Sequence, residues 1–78
     1  MKHNSTKVEQ MVPALVRGLN VLELLAQEQS ELNLRSISTR LDIPRPSLWR
    51  ILSVLRNSGY ILFDPEKKTY RLGFKFFY

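Results

Sequence analysis

The stretch Ser36-Ile37-Ser38-Thr39-Arg40-Leu41-Asp42-Ile43-Pro44-Arg45-Pro46-Ser47-Leu48-Trp49-Arg50-Ile51-Leu52 decides the fold. Ile37 and Leu41 stand at i and i+4, which predicts a short helix over residues 36–41. Asp42-Ile43-Pro44 breaks it. A second helix is expected to begin around Pro46, because proline's missing N–H costs nothing in a first turn. Leu48, Ile51, Leu52 and Leu55 then repeat at i, i+3, i+4 and i+7 and mark its buried stripe. Gly59, after Asn57-Ser58, suits the left-handed residue that ends many helices. Two short helices around a tight turn make a helix-turn-helix candidate. On a helical wheel the arc opposite the buried stripe carries Pro46, Trp49, Arg50, Ser53 and Asn57, flanked by Arg45 and Arg56. No carboxylate falls among them. A helix face selected for solubility alone usually mixes signs, whereas a phosphate-lined groove excludes acids.

Upstream, Pro13 opens a longer helical pattern. Leu15, Leu19, Leu22 and Ala26 form one apolar stripe, yet Val21 and Leu24 lie well away from it. A helix apolar on two sides needs two surfaces to pack against. One is its own domain. The other is either a second subunit or the C-terminal segment. Gly18 within this helix suggests a close helix–helix approach. Between the helices, residues 28–33 form a polar connector, with Leu32 and Leu34 alternating enough for a very short strand. Downstream of Gly59 the period falls to two. Tyr60–Phe63 and Thr69–Leu72 read as strands, and Asp64-Pro65-Glu66-Lys67-Lys68 reads as the turn between them. Tyr60, Phe63, Tyr70 and Leu72 are assigned to packing.

These elements give a mainly α, α+β fold class: a winged helix-turn-helix, or three-helix bundle with a two-stranded β-hairpin wing. Residues 1–12 are expected to be a flexible N-terminal tail and residues 13–73 the folded domain. Four of the chain's aromatics (Phe74, Phe76, Phe77 and Tyr78) fall within residues 74–78. So apolar an ending suggests either a tucked terminus or the start of a linker.

Composition narrows the function. The chain has 78 residues, 44% hydrophobic and 24% charged, and a net charge of +5. That is one small globular domain. Its charge is lopsided: residues 35–78 hold nine basic and three acidic side chains. A one-sided basic half is the footprint of a polyanion binder, with a solvated charged surface as the alternative. There is no cysteine, and the single histidine, His3, lies in the expected tail. Neither a metal site nor a cofactor is expected, and no clustered nucleophile or acid–base pair points to an enzyme. No apolar run approaches the ~18 residues of a membrane span, and no secretory h-region is present. A cytoplasmic protein without membrane contact is therefore expected.

The run Leu15-Val16-Arg17-Gly18-Leu19-Asn20-Val21-Leu22-Glu23-Leu24-Leu25, the segment Ile43–Leu52, and the ending Leu55-Arg56-Asn57-Ser58-Gly59-Tyr60 with Tyr70-Arg71-Leu72-Gly73 resemble the IclR family of bacterial transcriptional regulators. The resemblance covers residues 13–74. It implies a winged-helix domain that binds a double-stranded DNA operator as a homodimer. It also implies that residues 74–78 begin a linker to an effector-binding domain outside this chain, which would take a small molecule. The family's recognition helix carries a hydroxyl residue, an aliphatic, a variable residue and an arginine. Ser47, Leu48, Trp49 and Arg50 match that order, so DNA contacts are carried over to Ser47, Trp49 and Arg50. The sequence departs at Asp42, where glycine is common, and at Pro46, where a serine or similar residue is usual. Operator readout therefore does not carry over in detail.

Groove chemistry supplies the roles. Arg50 can donate a bidentate pair to guanine O6 and N7, or clamp a phosphate. Ser47 can reach a base edge or a phosphate. Trp49 is assigned to thymine methyls or sugars, with folding back over the turn as core the alternative. Ser36, Arg45, Lys67 and Lys68 are assigned to phosphates, the two lysines from the wing. A winged helix used for protein–protein contact is the competing function.

Overall fold

The computed structural model describes residues 10–28 and 30–77. Helix α1 spans Pro13–Glu28 and is followed by strand β1, Leu32–Asn33. Helices α2 (Leu34–Leu41) and α3 (Arg45–Asn57) come next, then strands β2 (Ile61–Asp64) and β3 (Thr69–Leu72). A 3-10 helix covers Phe74–Phe77. Of the expected tail, residues 1–9 lie outside the described residues, as does Tyr78 at the other end, while Gln10 and Met11 are helical.

Each boundary has a local cause. Asn33 caps α2: its Oδ1 accepts the Ser36 N–H at 2.8 Å, satisfying one of the first-turn donors. That cap starts the helix at Leu34, two residues earlier than the apolar spacing indicates. At the other end of α3, the Tyr60 N–H donates to the Leu55 carbonyl at 2.9 Å and the Gly59 N–H to Arg56 at 3.1 Å. This Schellman pair requires a left-handed residue, and Gly59 has φ +88°.

The expected two-stranded wing is the larger part of a three-stranded antiparallel sheet in the order β1-β3-β2. Leu32 pairs with Tyr70 and Asn33 with Thr69 on one side of β3; Ile61 pairs with Leu72 and Phe63 with Tyr70 on the other. The two residues of β1 cover an edge of the hairpin that would otherwise expose unpaired backbone groups.

The core draws on the three helices, the turn and the two hairpin strands. Val21, Leu24 and Leu25 of α1 meet Ile37 of α2, Leu48 and Leu52 of α3, Ile61 of β2 and Tyr70 of β3, with Ile43 contributed by the turn. Of the two apolar sides of α1, the one bearing Val21 and Leu24 faces the domain. The other stays open, with Leu15 59% and Leu19 52% exposed. Tyr60, expected to pack, is instead exposed; its contribution is through its backbone, where its carbonyl accepts the Gly73 N–H at 2.7 Å.

Two glycines differ in what they allow. A Cβ at Gly18 would sit 3.7 Å from Ile51 Cγ2, an ordinary contact, so helix approach does not demand glycine there. A Cβ at Gly73 would lie 2.5 Å from the Gly59 carbonyl oxygen, against backbone that cannot move without opening the cap of α3. Gly18→Ala should therefore raise stability by about 0.5–1 kcal/mol, the usual glycine penalty inside a helix. Gly73→Ala should lower it by about 1–3 kcal/mol, as overpacking does. Urea midpoints of both variants check the opposite signs.

Candidate nucleic-acid interface

The turn between α2 and α3 is fastened at one serine. The Ser38 carbonyl accepts N–H bonds from Asp42 and, at 3.1 Å, from Ile43. Its hydroxyl donates to the Ile43 carbonyl at 2.6 Å. Ile43 is thereby driven into the core, which fixes the direction in which α3 leaves the turn. Asp42 takes the left-handed conformation, φ 55° and ψ 49°. This is the backbone for which glycine is the common solution.

Helix α3 begins at Arg45, one residue before the expected Pro46, because Pro44 serves as its N-cap and accepts the Leu48 N–H at 2.9 Å. Leu48 and Leu52 are buried and Ile51 and Leu55 half-buried, as the stripe requires. The opposite side is turned outward. Arg45 and Arg50 are exposed and Ser47 is half-buried at its margin. Trp49 is 60% exposed, so it does not fold back into the core. Ser53 lies on the same side, but its hydroxyl donates to the Trp49 carbonyl at 2.8 Å and is occupied within the helix. Ser36 sits half-buried in the first turn of α2, held there by Asn33.

The wing tip is a second group. Asp64 Oδ1 accepts the N–H groups of Glu66 at 2.9 Å and Lys67 at 3.3 Å, and the Asp64 carbonyl takes the Lys68 N–H. The loop closes through Lys68 at φ 58°, another left-handed non-glycine residue. Lys67 points toward Glu31, whose Oε1 lies 3.6 Å from its Nζ and also accepts the Thr69 hydroxyl at 2.8 Å.

Several charges on the basic half are occupied within the domain. Arg56 lies over the Phe63 ring, 4.8 Å from its centroid, and Phe63 in turn meets Tyr70 at 4.8 Å. This contact of the α3 end with β2 ties that helix to the wing. Burial pushes the Tyr70 hydroxyl up from its ordinary value, opposed by the nearby charge of Arg56. Arg40 binds Glu28 across the ends of α2 and α1, and the hydrogen bond, followed by the charge, holds the Glu28 carboxyl below its ordinary value. Arg45, Arg50 and Lys68 have no ion-pair partner among the described residues.

Sequence reading alone did not identify Glu31, because its contact with the wing depends on the β1–β3 register. Nor did it identify Val54, exposed beside Arg50 on an apolar groove shared with Leu15 and Leu19. Among the described residues no three His, Cys, Asp or Glu side chains gather in a way that could hold a metal. No helix there is long and apolar enough to cross a membrane.

Known proteins share this arrangement. The family model for the IclR helix-turn-helix domain matches residues 14–65. The HTH-type transcriptional regulator XynR of Escherichia coli (strain K12) is 32% identical over 65 residues, covering 83% of this chain and 26% of that protein. An IclR transcriptional regulator from Alicyclobacillus acidocaldarius superposes with a TM-score of 0.79 at 27% identity, over 83% of this chain and 26% of the other. An IclR family regulator from Brucella abortus gives 0.79 at 29% identity, over 88% and 26%. The Agobacterium tumefaciens repressor BlcR gives 0.74 at 27% identity, over 85% and 26%. The chain thus spans about a quarter of the length of these relatives.

The left-handed turn has a measurable consequence. Asp42→Gly should stabilise the domain by about 1 kcal/mol, since glycine adopts that backbone without a Cβ clash. Thermal unfolding of the two forms checks it.

Proposed function

The chain belongs to the IclR helix-turn-helix family, whose domain is the DNA-binding part of transcriptional regulators, and from that premise we propose that it reads a specific double-stranded operator with α3 in the major groove. The observation that carries this is the outward side of α3. Trp49 stands exposed beside an unpaired Arg50, and residues 45–57 contain no carboxylate. Arg50 is assigned to a guanine edge and Trp49 to a thymine methyl or sugar. Ser47, Arg45 and Ser36 are assigned to phosphates around them, which set register without reading sequence.

Lys67 and Lys68 place the wing on the backbone or in the minor groove. Lys68 supports this through its backbone. At φ 58° a glycine would be favoured, and the chain carries a cation there instead. Dimerisation belongs to the same proposal. The open side of α1, with Leu15 and Leu19 exposed, together with Val54 of α3, offers a second copy an apolar surface. Two copies would set their recognition helices about one DNA turn apart, ~34 Å. Residues 74–78 then lead toward a separate effector-binding domain, and the protein acts in the cytoplasm without chemistry of its own.

Salt dependence tests the proposal against a protein-docking role for the same fold. Affinity for a duplex selected from random DNA should fall with salt at a log–log slope near −0.9 per phosphate neutralised; a flat response would overturn DNA binding. Arg50→Ala should cost about 1–3 kcal/mol on the selected duplex and relax preference at one position. Equal losses on selected and random duplexes would make Arg50 a phosphate contact. Lys68→Gly should raise the melting temperature while weakening binding to all duplexes alike. Sedimentation of wild type and Leu19→Glu checks the dimer, which the carboxylate should disrupt.

A further inference from the structure

One acidic side chain from outside the hairpin reaches the wing. Glu31 stands immediately before β1; the antiparallel register that pairs Leu32 with Tyr70 and Asn33 with Thr69 carries it toward the Arg71 position, and its side chain reaches diagonally to Thr69. A single oxygen, Oε1, accepts the Thr69 hydroxyl at 2.8 Å and faces the Lys67 ammonium at 3.6 Å. The wing's own two carboxylates are differently employed: Asp64 Oδ1 holds the loop's N–H groups, and Glu66 forms no ion pair with either lysine among the described residues. The two wing lysines are therefore unequal. Lys68 has no ion-pair partner among the described residues, and Lys67 shares its charge with Glu31.

We propose that Glu31 sets the strength of the wing's hold on DNA: it positions the hairpin through Thr69 and restrains Lys67 through its charge. The proposal rests on the DNA-binding reading and adds a regulating residue to it. A phosphate approaching the wing must draw Lys67 away from Glu31. This weakens a contact that carries no sequence information. Among the described residues, the hydrogen bond and ion pair of Glu31 are with Thr69 and Lys67 of the wing and with no residue of α3. Glu31 thus lowers affinity for selected and random duplexes by the same factor and leaves their ratio unchanged.

Glu31→Gln separates the two roles, since the amide oxygen can still accept from Thr69 while the charge is gone. Binding is measured by fluorescence anisotropy on a selected and a random duplex across a salt series, together with melting temperature. Glu31→Gln is expected to melt with wild type. It should bind both duplexes about two- to five-fold more tightly at low salt, the scale of an exposed ion pair. Its salt slope should steepen by about 0.9 as Lys67 neutralises one more phosphate. In a Lys67→Ala background the gain should vanish. An unchanged slope in Glu31→Gln, with wild type still strongly salt-dependent, overturns the proposal and leaves Glu31 a structural anchor. A gain that persists without Lys67 overturns it too, because the carboxylate then acts at long range. A flat wild-type response overturns the DNA reading itself, and the proposal with it.

Discussion

Leu48 and Leu52 are inserted among buried side chains of α1, α2, the turn, β2 and β3, and the position of α3 depends on that burial. Each fully buried leucine contributes about 1.5–3 kcal/mol. In a chain of 78 residues the core is small, so a few such side chains carry a large share of the net stability. The same insertion determines what α3 shows to solvent. With Leu48 and Leu52 inward, Trp49 and Arg50 have no place but outside. The outward surface of α3 is thus the geometric complement of the core stripe.

Around that insertion, short-range hydrogen bonds hold the angles. Ser38 fastens the turn with its carbonyl and its hydroxyl, Asn33 ends β1 and starts α2 with one side chain, and Gly59 turns the chain from α3 into the sheet. None buries much area, and each contributes about 1 kcal/mol. Their effect is on direction. Gly73 adds a constraint of contact, lying so close to the Gly59 carbonyl that the wing's return strand and the cap of α3 form one unit.

The basic half of the chain divides its charges between structure and surface. Arg40 is taken by Glu28, Arg56 by Phe63 and Lys67 by Glu31. Arg45, Arg50 and Lys68 are left to solvent. Net charge alone overstates the surface offered to a polyanion, since a cation already facing a carboxylate gains less from a phosphate. The stack of Arg56, Phe63 and Tyr70 gives the occupied cations a second use, because it couples the two groups of candidate contacts through one packed line.

By itself, the amino-acid sequence determined the element order, the buried stripe of α3, the glycine stop at Gly59 and the acid-free outward arc. These depend on spacing within one helix or on the backbone preference of one residue, and both are local. The tertiary structure alone decided which apolar side of α1 faces the core, that Leu32–Asn33 adds a strand to the wing, that Trp49 stays outside, and that Glu31 meets Lys67 and Thr69. Periodicity shows that α1 has two apolar sides but cannot rank them, because both satisfy the same wheel. The pairing of residue 33 with residue 69 is a long-range register, set only when the hairpin and the helices pack against one core.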